Sequence, residues 1–389
     1  MPLAFDSLKD LTLAIQQVEG FAGLVAALKN GRAATIDGAW KSSAALATSA
    51  LGLHAPKTLL VVLAHPRDTD AWCEDIVSFA GLRPALFPAW DTWPIGDKVI
   101  DEVAGQRLRM LRLLEIEPPR FVVTTMQALL QPVPDTAQLR QRRRLLRVGA
   151  NLDLDELTRW LVDHEFQRRE AVELPGEYSR RGGILDVFSP DAEAPYRLEF
   201  FGDEIESLRQ FAVSTQRSLG DVKAVEITAA LSAVASPDAD AAADIGHIFD
   251  HLPKDTWVVL VEPDELEEQG KHFVERVANV TGLFSIPSVF QQTLRFPSIK
   301  VTALPTTSAE MTCHLRVESV ERFSGEVAKI RDELDAAATA DQVLIGCHNE
   351  AERKRLGDVL AAGKLAQSGQ LKLALGRVHA GFRLLLAPG

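Results

Sequence analysis

Hydrophobic positions change their period several times along the chain, and each change marks a different kind of element. Leu8, Leu11, Ile15 and Val18 recur at helical spacing and predict an amphipathic helix. TLLVVLAHP (58 to 66) is instead an unbroken apolar run stopped by Pro66, the pattern of a strand buried on both faces of a parallel sheet. ALFPAW (85 to 90) and RFVVTT (120 to 125) read as further strands, with a helical stretch from Asp101 to Leu114 between them. Strand and helix alternating at this spacing predict an α/β domain with a parallel sheet.

The pattern breaks at residues 132 to 150, where Pro132 and Pro134 precede the arginine-rich string QLRQRRRLLRVGANL, read as a solvated linker between domains. Asp153 as a cap, with Glu156 three residues on, opens a short helix carrying Leu157, Trp160 and Leu161 on one side. GEYSRRGGILDVF (176 to 188), YRLEFF (196 to 201) and EIESLRQF then follow with turn residues between them, which predicts a small antiparallel β-rich block. After the Ala/Asp-rich stretch 235 to 246 the α/β pattern returns, with WVVLVEP (257 to 263) and QVLIGCHN (342 to 349) as buried strands and the helix AERKRLGDVL after the second. GFRLLLAPG reads as a last strand, and the expectation is a fragment cut inside or just after a sheet. The boundaries expected are 1–140 for the first part of the α/β domain, 141–232 for the inserted β-rich domain and 233–389 for the return to α/β.

Length and composition narrow the class. At roughly 100–200 residues per domain, 389 residues make two to four domains, and 46% apolar with 25% charged residues is the composition of an ordinary globular protein. The balance of 42 Lys+Arg against 54 Asp+Glu, a net −12, argues against general attraction to nucleic acid or anionic membrane. Three cysteines make no disulfide framework, and no secretory leader or apolar span is visible, so a cytoplasmic protein is expected.

Candidate chemistry is sparse. The turn after the first strand, ATIDGAWKSSAALATSAL, sits where a G-x-x-x-x-G-K-[ST] loop would cradle phosphate. With Lys41 and Ser42 in the last two places, the glycine positions hold Thr35 and Trp40; with Gly38 first, the later places hold Ser43, Ala44 and Ala45. The expectation is a degenerate, non-functional nucleotide loop at Gly38, Trp40, Lys41 and Ser42, with no cofactor. No apolar run ends in the Asp-Glu pair that would hold magnesium. The HExxH-like start at His164 has Arg168 in place of the second histidine, so no metal site is expected, and Cys313 and Cys347 read as core cysteines.

The β-rich block is more informative. Alternation in YRLEFF puts Tyr196, Leu198 and Phe200 on a core face and Arg197, Glu199 and Phe201 on the other, a mixture of charges and an aromatic anchor typical of binding surfaces. Gly182-Gly183 would bend the preceding strand and aim Arg180 or Arg181 outward.

At GEYSRRGGILDVF, YRLEFFGDEIESLRQF and STQRSL (214 to 219) the sequence resembles the bacterial transcription-repair coupling factors, in the part they share with the nucleotide-excision-repair protein UvrB. PAWDTWP before DEVAGQRL, VTTMQALLQPVP after its strand, and the turn GAWKSS extend the likeness. UvrB shares the RGxxxxVF…RxEFFGDEIE pattern but carries an intact phosphate loop and a tyrosine-rich hairpin. This chain has neither: its only two tyrosines are Tyr178 and Tyr196. The resemblance implies a RecA-like domain split by an inserted domain that binds UvrA. Contacts would fall on Arg168, Arg181, Arg197, Glu199 and Phe201, with Ser179 where relatives tend to have a further arginine. It also implies RNA polymerase and DNA as partners of further domains, and a non-catalytic role for this part, with ATP and magnesium used only by a motor elsewhere. Two other classes are open to these residues: an ATP-dependent helicase or translocase subunit with a divergent nucleotide site, and a DNA-binding repair module acting through arginines 140–147.

Overall fold

The computed structural model describes residues 5–93, 101–229, 245–305, 310–320, 327–338 and 341–386. The 232/233 boundary, most of the Ala/Asp-rich stretch, Pro94 of PAWDTWP and the last three residues lie outside them.

The apolar runs form the centre of a seven-stranded parallel sheet. Its spatial order is Met311–His314, Ala34–Asp37, Ser298–Thr302, Trp257–Val261, Leu59–Leu63, Phe121–Thr125, Ala85–Phe87. Because successive side chains point to opposite faces, Leu59, Val61 and Leu63 enter one core layer with Ile36, Val259 and Phe121, while Leu60 and Val62 enter the other with Val122, Val258 and Phe87. Helices cover both layers: Ser42–Gly52 and Thr69–Ala80 on the first, Glu102–Ile116 and Pro263–Arg276 on the second. Ser42–Gly52 is built of small residues and is buried along its whole length. A Cβ on Gly52 would fall 2.0 Å from the Phe121 ring, so the helix lies directly against the sheet.

Two strands of this sheet, Ser298–Thr302 and Met311–His314, are not among those expected from the sequence; both are short and carry polar residues, and pairing with Ala34–Asp37 fixes them. QVLIGCHN, expected as a buried strand of the α/β pattern, is corrected: Val343–Cys347 is mostly half-buried and, among the described residues, pairs in parallel only with Leu371–Leu375, in a small unit around Leu334, Leu360 and Leu365 outside the seven-stranded sheet.

The β-rich block is a six-stranded sheet in the order Ser218–Asp221, Glu204–Phe211, Tyr196–Phe201, Ile184–Val187, Glu177–Arg181, Gln167–Arg168, antiparallel except for the last pair. Helix Leu154–Asp163 covers one face with Leu157 and Leu161, and Asp153 Oδ1 accepts hydrogen bonds from the N–H groups of Asp155 and Glu156. The arginine string is not a solvated linker. It ends a helix, Thr136–Gln141, and forms a strand, Arg143–Arg147, that pairs with Ala224–Thr228 and buries Leu146 against Val225 and Ile227. Its charges are met by carboxylates: Arg140 and Arg143 by Glu115, Arg144 by Glu156. Arg112 of the helix Glu102–Ile116 reaches Asp191 and Glu226, which ties the block to the α/β part. Among the described residues no single helix is long and apolar enough to cross a membrane.

Candidate partner-docking face

One face of the six-stranded sheet is core, lined by Tyr178, Leu185, Val187, Leu198, Ile205 and Leu208. The opposite face carries a ladder of charge set by register. Arg197 stands opposite Asp186 on one neighbouring strand and Arg209 on the other, while Glu199 stands opposite Ile184 and Ser207. The like charges of Arg197 and Arg209 are compensated from the sides. Arg197 donates to Asp186 through Nε at 2.6 Å and Nη2 at 2.7 Å, and its guanidinium lies over the Phe211 ring at 4.6 Å. Glu199 accepts from Ser207 Oγ at 2.7 Å and pairs with Arg209. The hydrogen bonds to Asp186 raise the Arg197 pKa above its ordinary value. Both residues therefore lie on the expected face, already engaged within the chain. Asp186, Ser207 and Arg209, which hold them, were missed, although cross-strand reading of ILDV and EIESLRQF against YRLEFF carries that signal.

Phe201 follows where the strand leaves the sheet at the Gly202-Asp203 turn, and it is 80% exposed. Ile184, paired to both Arg181 and Glu199, adds a second exposed apolar side chain.

Arg168 and Arg181 sit at the sheet edge. Register pairs Arg168 with Tyr178, which puts it on the opposite pleat face from Arg181, Arg197 and Glu199. The edge nevertheless brings the arginines together: a shallow groove of about 420 Å³ is lined by Arg168, Arg169, Arg180 and Arg181 with Glu170 and Ser179. Arg169 is held by Glu177 at 3.0 Å and Arg180 by Asp155 at 2.5 Å. Burial pushes the Glu177 carboxyl up, but the N–H groups of Glu173 and Leu174 and the Arg169 guanidinium outweigh it and hold its pKa low. Arg181 reaches only the backbone carbonyl of Glu170, and the Arg168 side chain has no bonded partner among the described residues. Two cations without carboxylate partners thus line a groove at the sheet edge, and the exposed Ile184 is paired in register with one of them, Arg181.

The turn after the first strand has a different character. Gly38 has φ +74°, and a Cβ there would meet the Leu315 carbonyl oxygen at 2.0 Å, so only glycine fits. The Ala39 N–H donates to Thr302 O at 3.1 Å and the Trp40 N–H to Ser43 Oγ at 2.9 Å. Lys41 is exposed, with φ +48°. Ser42 Oγ accepts a hydrogen bond from the Ala380 N–H at 2.8 Å. Two amides of the turn and the Ser42 hydroxyl are thus bonded within the chain. Cys313 and Cys347 are both fully buried. Among the described residues no group of three or more His, Cys, Asp or Glu side chains is arranged for a metal ion.

Residues 145–232, which contain the whole groove and charge ladder, match the family described as the UvrB interaction domain. Over 191 residues the chain is 39% identical to the transcription-repair-coupling factor of Mycobacterium bovis, an alignment covering 46% of this chain and 15% of that protein. The corresponding protein of Bacillus subtilis is 26% identical over 237 residues, covering 59% and 20%, and that of Escherichia coli 31% over 197 residues, covering 50% and 17%. About half of the chain is thus similar to transcription-repair-coupling factors. The stretches matched span 15–20% of the length of these relatives. Together with the split parallel sheet and its inserted β domain, the matches support an N-terminal region of a transcription-repair-coupling factor.

Proposed function

We propose that this region is a non-catalytic docking module of a transcription-repair-coupling factor, whose inserted sheet binds the damage-recognition protein UvrA and brings it to RNA polymerase stalled at DNA damage. The observation that carries the reading is the groove in which Arg168 and Arg181 stand without carboxylate partners, at the edge of a sheet that also exposes Ile184 and Phe201. Guanidinium groups recognise carboxylates in a planar, bidentate manner, and an aromatic anchor beside them supplies buried area. Arg197 and Glu199, bonded to Asp186 and Arg209, serve as a preorganised floor that fixes the shape of the face. The Gly38–Ser42 turn binds no nucleotide: its Ala39 and Trp40 amides and the Ser42 hydroxyl are taken internally, and a phosphate would have to displace them. Under this reading, hydrolysis and contacts with RNA polymerase and DNA are assigned to other parts of such a factor.

A titration of the chain with UvrA tests the reading. Saturable binding is expected, with an affinity that falls moderately as salt rises because the contact is partly ionic. Absence of binding at low salt overturns it, and saturable ATP binding by the chain overturns the reading of the turn.

A further inference from the structure

Residues 376–380 cross from the small C-terminal unit to the first turn of helix Ser42–Gly52 and the C-terminal half of helix Thr69–Ala80 in the large domain. Their contacts there are mostly polar. The Arg377 N–H donates to Ser78 Oγ at 2.8 Å and its guanidinium to Glu74 at 2.8 Å. The His379 N–H and Nδ1 both lie 3.1 Å from Asp75 Oδ1, and Nε2 lies 3.1 Å from Glu74 Oε2. The Ala380 N–H takes Ser42 Oγ at 2.8 Å, at the first position of helix Ser42–Gly52. Val378 supplies the apolar contact with the large core, and Arg377 and His379 are exposed. Gly376 lies so close to helix Thr69–Ala80 that a Cβ would fall 2.9 Å from Ser78 Oγ.

Asp75 is the unusual member. Its side chain is 4% exposed, and its donors are Ser42, on the neighbouring helix, and the backbone and ring of His379. A buried carboxylate that loses its donors is costly, so Asp75 and the crossing segment hold each other in place. Burial also pushes the Asp75 carboxyl up, as expected for a group that depends on these bonds.

We propose that residues 376–380 form a detachable strap that covers the Ser42–Asp75 corner from within the chain, and that it opens without unfolding the parallel sheet beneath. In the strapped state the Ser42 hydroxyl and the start of its helix are shielded from any other ligand. Opening frees them, while Ala374, Leu344 and the strand at 382–384 keep the small C-terminal unit against the large domain. A segment held by a few polar contacts and half exposed belongs to the low-stability end of a fold, whereas the strands at 34–37 and 59–63 are fully buried and belong to the high end.

Native-state hydrogen exchange of the unaltered chain tests this directly. The amides of Arg377, His379 and Ala380 are expected to exchange at least about a hundredfold faster than those of Ile36, Val61 and Val62, by a sub-global opening. Exchange of both sets at a common rate, set by global unfolding, overturns the proposal. Trypsin cleavage after Arg377 gives a second reading, because cleavage of a fast-opening segment follows the population of its open form. His379→Ala is expected to speed that cleavage about tenfold, with the cut after Arg377 still far ahead of any cut within the parallel sheet. Unchanged cleavage, or a cut after Arg377 that appears only together with cuts in the sheet, counts against a separate strap.

Discussion

A guanidinium with both of its in-plane bonds made to one carboxylate has little left to offer a partner, and that distinction separates Arg197 from Arg168 and Arg181. Arg197 is three-quarters buried by Asp186 and Phe211, with its side chain 23% exposed. Replacing it with alanine leaves Asp186, 13% exposed, without its cation, and should cost about 1–3 kcal/mol of stability in a urea titration. Arg168→Ala, by contrast, should leave stability within about 0.5 kcal/mol. Alternation within YRLEFF shows which residues share the outer face. It does not show that Arg197 and Glu199 are already paired, because Asp186 and Arg209 sit on neighbouring strands and only hairpin register brings them opposite. For the same reason Arg168 was grouped with a face from which its own strand pairing turns it away.

At the scale of elements, what could be read locally was read correctly and what depends on pairing was not. The helix at 154–163 announces itself through Asp153 and its Leu157/Leu161 stripe, and its cap is made as expected. Asp153→Ala removes acceptors for two amides and should lower the stability of the inserted block by about 1 kcal/mol, measured as a shift in its unfolding midpoint. The long apolar runs at 59–63, 121–125 and 257–261 were legible because both faces are buried. Met311–His314 was not, since an edge strand with one buried side chain has no periodicity to detect. Nor was Arg143–Arg147, whose charge hides a single core residue, Leu146, and whose strand exists because Ala224–Thr228 lies beside it. The turn at Gly38–Ser42 departs in sequence from a phosphate loop. The segment from residue 380 that occupies it lies 338 residues away and left no local trace.

Taken whole, the molecule is an α/β scaffold that carries an inserted six-stranded sheet, proposed above to dock a partner, and its response to acid should begin in the scaffold. His247 is buried, with Nε2 donating to the Leu129 carbonyl at 2.8 Å and Nδ1 accepting from the Phe249 N–H at 3.2 Å. Burial pushes its pKa down from 6.5 to about 4. The unfolded chain therefore binds this proton more readily, and the folded state loses stability as pH falls from 6.5 toward 4. Glu177 and Glu115, held low by their donors against the upward push of burial, add losses only below their ordinary value of 4.5. A plot of the unfolding midpoint against pH should accordingly bend near 6.5, and His247→Gln should reduce that bend. The docking claim itself is settled most directly by titrating UvrA with the chain and with an Arg168→Ala/Arg181→Ala double variant of unchanged circular dichroism. The account expects an affinity loss of at least about tenfold for the double variant, corresponding to about 1.4 kcal/mol or more. Equal affinities would place the contact elsewhere and contradict it.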